Sequence, residues 1–424
     1  MKETLLYRIR EGVKDVFYIW AKEMRQTFTD EGVLIFFFIV PIFYPLLYSW
    51  AYSNEVVREV PVAIVDLSHS HQSRQFIRQF DASPNTKAAY YCNSIEEARE
   101  LVGKQVVHGV LYFPPDFQTL TNRMEQTHVS VYCDMSLMLT YKAIFQTAQE
   151  VASDMNTKLQ IAMSGNYTDR EDEISTHPLA FDEVPVFNPT GGYGSFLIPA
   201  VLILIIQQTL LLGIGLAAGT ARETNRYRDL VPVSRHYNGV FRIVFGKLLA
   251  YFMIFCVIAA YLTIIVPRLF GFTTLLSAGP LIGLLLPFIL ASIFFGMMLS
   301  CVVRYRENVI LLVIFSSLPF LFISGVSWPQ SSVPGVWRGI SILIPSTFGI
   351  RGFIRLNTMG ATLSDIRLEY QALWIQTFVY FIATCLVYRF QIMSAHRHAN
   401  ERIQSMKEKA TKAKQKKLEN DSEN

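Results

Sequence analysis

Residues 320–355 read FLFISGVSWPQSSVPGVWRGISILIPSTFGIRGFIR. An apolar run ends at Ser324-Gly325, a segment punctuated by Pro329 and Pro334 follows, and a second apolar piece is interrupted by Pro345. The stretch is too hydrophobic for an exposed loop and too rich in Pro and Gly for one continuous spanning helix. Irregular backbone at membrane depth persists only where it packs on protein or lines a cavity. The pattern therefore predicts a re-entrant hairpin over 327–355, dipping into one face of a membrane protein beside a pathway. Ser324, Gly325, Pro329 and Pro345 are its bending points and the candidate gate.

Outward from the hairpin, charge-free apolar runs recur. Spans are predicted at about Val33–Tyr52, Ser195–Ala221, Ile243–Val266, Pro280–Val303, Val309–Val326 and Tyr370–Tyr388. Six spans in 424 residues agree with a composition that is 51% hydrophobic and only 17% charged. Pro41 and Pro45 are expected to kink the first span. The second carries Gln207 and Gln208 near its middle and Gly213, Gly215 and Gly219 beyond them. Small residues at this spacing let helices approach closely, and the glutamines either bond a neighbour or line a substrate path.

The remaining segments are polar. Leu5–Phe28 is an amphipathic helix with Leu5, Ile9, Val13, Val16, Phe17, Trp20, Met24 and Phe28 on one stripe and Arg8, Arg10, Lys14, Lys22 and Arg25 off it. Such a helix lies in the membrane surface, packs on a partner protein, or does both. Basic residues also fill Arg222–Lys247, the Arg304–Arg306 turn and the tail from Arg389, whose last part is expected to be disordered. The positive-inside rule places these segments and both termini in the cytoplasm. Residues 53–190 alternate strand and helix patterns: strands at 60–67, 87–92, 106–113 and 129–134, a helix capped by Ser94 with Glu97 at the capping-box position, and a long helix over 136–163, followed by a polar loop at 166–173. The fold class is an α-helical polytopic membrane protein, N-in and C-in, with an inserted extracytoplasmic α/β domain. Its parts are an interface helix (1–32), the first span (33–52), the inserted domain (53–190), a five-helix domain (191–391) and a basic tail (392–424).

Absences narrow the function. No charged residue lies mid-span, which disfavours ion-coupled transport. No Walker A motif, HExxH or Gly-x-Ser-x-Gly elbow occurs. The five cysteines form no CxxC; Cys92 and Cys133 could pair in an oxidising compartment. Asp66, His69 and His71 are either a solvated turn or a metal or catalytic cluster, and the turn is the simpler reading. No basic-aromatic stripe indicates nucleic acid.

The chain resembles the type-2 ABC exporter permeases with an extracytoplasmic domain. VPVAIVDL, SIEEARELV and HGVLYFPPDF are similar to that family's strand, helix and strand exit. Ser324-Gly325, Pro329, Pro334, Ile344-Pro345-Ser346-Thr347 and Arg351 match its signature region, and Arg222-Glu223, Pro232-x-Ser234 and Gly246-Lys247 its cytoplasmic loop. After Arg222-Glu223 the family usually continues through Gly-Thr, whereas this chain reads Thr224-Asn225-Arg226-Tyr227. The resemblance implies a multi-pass permease of the bacterial inner membrane that exports a substrate, binds no cofactor itself, and relies on ABC ATPase subunits carrying ATP and magnesium. It implies Trp20, Arg222, Glu223, Arg226, Pro232 and Ser234 as coupling residues. It also implies a second permease copy or paralogue and a periplasmic adaptor, with membrane lipid around the whole. The alternative classes are a scaffold or receptor displaying 53–190, and an enzyme using Asp66, His69 and His71. Trp328, Trp337 and Phe348 suit an amphipathic cargo or serve as interface anchors.

Overall fold

The computed structural model describes residues 2–422 except 124, 166, 167, 178, 180–183, 185, 190, 226–228, 233, 238 and 304, with side chains except at 2–6, 8, 9, 235 and 408–422. Two compact units result: Met1–Ser53 with Gly192–Asn424, and Asn54–Gly191.

The chain opens with α1 (Lys2–Thr29), which packs along the third span. Its buried stripe is Asp15, Ile19, Glu23 and Thr27, while Val13, Phe17 and Phe28 stay exposed. The sequence stripe is therefore rotated away from the protein. Asp30 caps α2 (Glu31–Ala51), the first span, by accepting hydrogen bonds from the backbone N–H groups of Gly32 (3.0 Å) and Val33 (3.3 Å). A π-helical turn at Ile35–Ile39 precedes Pro41. Widening the turn accommodates a ring that would otherwise clash with the carbonyl four residues back.

The inserted unit has strands β1 (Val60–Asp66), β2 (Thr86–Tyr91), β3 (Gly109–Phe113) and β4 (Ser130–Cys133). They form one sheet in the order β2-β1-β3-β4, parallel except for β4. Between them run α3 (His71–Asp81), α4 (Ile95–Gly103) and α5 (Phe117–Asn122), and α6 (Met138–Ser164) follows. β1 is buried on both faces, as a central parallel strand must be. Val60, Val62 and Ile64 meet Phe76 and Phe80 of α3 and Ile144 of α6, while Ala63 and Val65 meet Ala98 of α4. Ser94 caps α4 as expected; Glu97, however, accepts from Asn93 N–H rather than from Ser94. The segment read as a polar loop contains a helix, α7 (Asp169–Thr176), started by a Thr168 cap. The strand order also separates Cys92 from Cys133. They lie at opposite edges, three strand spacings or about 14 Å apart, far beyond disulfide reach; both are free thiols.

The remaining spans are α8 (Tyr193–Glu223), α9 (Val240–Leu269), α10 (Ala278–Ser300), α11 (Arg306–Ile323) and α14, helical from Arg367 to Ser422. A second π turn, Tyr261–Ile265, precedes Pro267 in α9 in the same manner. The tail expected to be disordered is a continuation of α14. Between α11 and α14 the hairpin forms as α12 (Gly335–Ile342) and α13 (Pro345–Met359), bent 87° at their junction. α8 is the buried centre of the bundle. A methyl on Gly213 would run into the ring of Phe37 in α2, one on Gly215 into Val309 of α11, and one on Gly219 would lie 2.8 Å from Arg306 Cγ. The small residues of the second span thus set its approach to the first and fifth.

Candidate functional site

The spans are joined to α1 by carboxylates on the face that α1 buries. Asp15 accepts from His236 Nδ1 (2.7 Å) and from Arg242. Glu23 pairs with Lys247 (2.6 Å) and accepts from the Tyr251 hydroxyl, and Gly246 lets Ile19 come to the α9 backbone. The loop before α9 is held by the same helix: Tyr18 stacks on His236 at 4.2 Å, and the Lys22 ammonium lies 5.1 Å above the Tyr237 ring. Burial and the nearby Glu23 raise the Tyr237 hydroxyl well above its ordinary pKa, so it stays protonated. Asp229, at the other end of the loop, meets His398 of α14 at 3.0 Å.

Asp30 is the junction. Besides capping α2, its carboxylate accepts from Thr220 of α8 (2.6 Å) and pairs with Arg306 of α11 (2.8 Å). Burial opposes its ionisation, but Thr220, the Val33 N–H and Arg306 outweigh that cost and hold the carboxyl below its usual range. A tilt of α1 at this corner therefore loads the second and fifth spans directly.

The residues expected to couple divide. Glu223, Pro232 and Ser234 are exposed. Pro232 lines a cleft of about 570 Å³ with Lys22, Glu23, Asn225, Asp229 and Tyr237. Arg222 is buried, and its guanidinium donates to the Cys301 carbonyl (2.7 Å) and to that of Val303. Those carbonyls lie just past the end of α10, so Arg222 fixes the bundle and does not present its charge. Trp20 is half-buried, edge-on to Phe17, and Arg226 lies outside the described residues. Sequence reasoning missed Asp15, Glu23 and Asp30. The signal was present: two acids bracket Ile19 at four-residue steps, and an acid begins the first span.

The hairpin residues also fall into two groups. Gln207 is wholly buried, and its Oε1 accepts from Ser346 N–H (2.6 Å), capping α13 immediately after Pro345. Gln208 is buried with neither amide atom partnered. Both are buried among the spans of this chain. Gly325 takes φ of +93°, and Arg351 of α13 braces that turn by donating from Nε to the Ser324 carbonyl (3.2 Å). Pro329 starts the short helical turn that follows. Trp328 and Trp337 are exposed, but Phe348 belongs to the core. In the other unit, the Asp66 carboxylate accepts from the backbone N–H groups of Ser68 and His69 and from the Ser73 hydroxyl, so it organises its own turn. Among the described residues no group of three His, Cys, Asp or Glu side chains is placed to hold a metal.

The family described as ABC-2 family transporter protein matches residues 32–386. The chain belongs to this family. A comparison with curated proteins finds no match. As an ABC-2 family transporter, it is a multi-pass membrane component, and the matched region runs from the start of the first span into the sixth, taking in the inserted unit and the hairpin.

Proposed function

We propose that this chain is the permease subunit of an ATP-driven exporter in the bacterial inner membrane, paired with a second permease and with separate ATPase subunits. The Asp30 junction carries the reading. It ties the surface helix α1, the α8 end and the α11 start at one point, as a relay from a soluble motor to the spans requires. The same end of the bundle holds Arg222, Arg242, Lys247 and Arg306, which supports a cytoplasmic placement. Residues 54–191, entered and left between the first and second spans, then lie outside, where a periplasmic adaptor can reach them. ATPase closure presses on α1 and on the exposed Glu223, Pro232 and Ser234. The Asp30 junction passes the displacement to α8 and α11, and the hairpin opens outward.

Gentle affinity purification of the full chain from its own host tests this. An ATPase with a Walker A motif is expected to co-purify, and Asp30→Asn is expected to retain that subunit while uncoupling its ATP hydrolysis from transport. Recovery of no ATPase, or full transport by Asp30→Asn, would overturn the proposal.

A further inference from the structure

The third and sixth spans leave a groove with apolar walls and one cationic end. A cavity of about 580 Å³ lies between the first turn of α9 and α14. Apolar side chains line it, Phe241, Phe381, Ile382, Leu386 and Met393 among them, and Arg389 is the single charged one. Phe381 anchors the wall, with ring centres of Phe241 at 6.2 Å, Phe245 at 5.8 Å and Phe294 at 5.2 Å. Phe241, Ile382, Leu386 and Met393 are exposed, so the groove opens away from the bundle, towards the bilayer.

The cationic end is built from both helices. No charged residue occurs from Tyr370 to Tyr388, so Arg389 is the first charge past the apolar part of the sixth span, about 12 Å along α14 from Phe381. It is exposed, and among the described residues no carboxylate pairs with it. α14 carries no acid at all from Tyr370 to Asn400. The cations of α9 are engaged elsewhere, Arg242 with Asp15 and Lys247 with Glu23. On the opposite wall Val240 and Phe241 begin α9, and Gly239 before them has no side chain to accept from the first N–H groups. The positive end of α9 therefore lies at the same groove as Arg389.

We infer that this groove holds one anionic phospholipid, with its phosphate between Arg389 and the start of α9 and an acyl chain over Phe241, Phe381 and Ile382. Apolar walls open to the bilayer suit an acyl chain, and an unpaired cation beside an uncapped helix start calls for an anion. A second copy of the chain would have to bring an acid to Arg389, and the buried acids at this end, Asp15, Glu23, Asp30 and Asp229, are all paired within the chain. Arg397 lies two four-residue steps beyond Arg389 on the same stripe of α14, and it too is exposed. A zwitterionic head would set its own ammonium against these two cations, so a head of net negative charge is preferred. The inference rests on the membrane placement that the family gives and is independent of the exporter reading.

The test is native mass spectrometry of the full chain in mild detergent, titrated with phosphatidylglycerol or with phosphatidylcholine of the same chain length. One phosphatidylglycerol is expected to stay bound to each chain, several-fold more tightly than phosphatidylcholine. Arg389→Gln alters an exposed side chain without an ion-pair partner, so the variant folds. It is expected to bind phosphatidylglycerol about fivefold more weakly, the worth of one basic residue at a membrane surface, and to leave phosphatidylcholine unchanged. Leu386→Trp, which fills the groove, is expected to weaken both lipids. Equal affinity for the two lipids, or unchanged phosphatidylglycerol binding by Arg389→Gln, overturns the inference. So does cross-linking of two chains through Met393→Cys in native membranes that the native chain does not show, which would assign the groove to a second copy.

Discussion

Replacing Lys247 with Met isolates the energetic role of the α1 contacts. Glu23 and Lys247 are 4% and 14% exposed and lie 2.6 Å apart. At that burial, removing one partner leaves an uncompensated carboxylate, which costs about 3–5 kcal/mol. The Tyr251 hydroxyl still donates to Glu23, and a hydrogen bond to a charged group is worth about 1.5–3 kcal/mol. The expected loss for Lys247→Met is therefore at the lower end, about 3 kcal/mol. Replacing both residues with Met removes the stranded charge but leaves the buried Tyr251 hydroxyl without its acceptor, so a residual loss of about 1–3 kcal/mol is expected, well below the sum of the two single losses. Reversible unfolding of the full chain in mixed micelles, run on the two single variants and the double, gives the coupling energy. About 2 kcal/mol or more is expected; effects that add to within about 0.5 kcal/mol would mean that the charges do not hold α1 to α9.

Three further predictions concern the junction, the bundle and the hairpin. Because the Asp30 carboxyl is held low, its stabilisation is complete above the unfolded value of 3.8 and is lost as pH falls through the lower folded one. The stability gap between the native chain and Asp30→Asn should therefore be flat from about pH 5 to about pH 8 and close only in stronger acid, and a gap that varied near neutrality would contradict the assignment. Gly213→Ala should cost about 1–3 kcal/mol by driving a methyl into Phe37; Phe37→Leu in the same chain should recover part of it in thermal unfolding, and failure of that rescue would place the clash elsewhere. Gly325→Leu must hold φ near +93° against a penalty of about 1–2 kcal/mol. It should slow transport in vesicles while leaving partner subunits bound, whereas loss of assembly would make the turn a packing element.

The spans were legible because the bilayer demands long uncharged runs and tolerates few alternatives. Five appear within a few residues of their expected bounds, while the sixth begins as expected but its helix runs on past Tyr388, and the Pro and Gly spacing of 320–355 announced a broken helix. The four strands of the inserted unit and its long helix were legible from alternation and caps, but the helix Asp169–Thr176 was read as a polar loop. Its strand order was not, because order depends on which crossovers pack, and that order decides that Cys92 and Cys133 stay apart. The role of Arg222 was hidden for a similar reason: a basic residue at a span end reads as a surface charge until the carbonyls past the end of α10 are seen to claim it.

The register of α1 shows where hydrophobic periodicity misleads. In a soluble protein the apolar stripe of an amphipathic helix faces the core. Here Val13, Phe17 and Phe28 are exposed, and the buried stripe runs through Asp15, Ile19, Glu23 and Thr27. At a membrane surface the apolar stripe has another solvent available, the lipid, so periodicity alone does not say which face meets protein. What does say so is charge that lipid rejects. An acidic residue cannot lie against acyl chains without a partner, so acids set at four-residue intervals around Ile19 mark the protein-facing side and call for cations opposite. Arg242 and Lys247, five residues apart on α9, supply them. The pairing also restrains α1. A helix held to the bundle only by apolar packing could roll in the interface, whereas Asp15 and Glu23 pin this one to α9, and Asp30 at its end is fastened to α8 and α11.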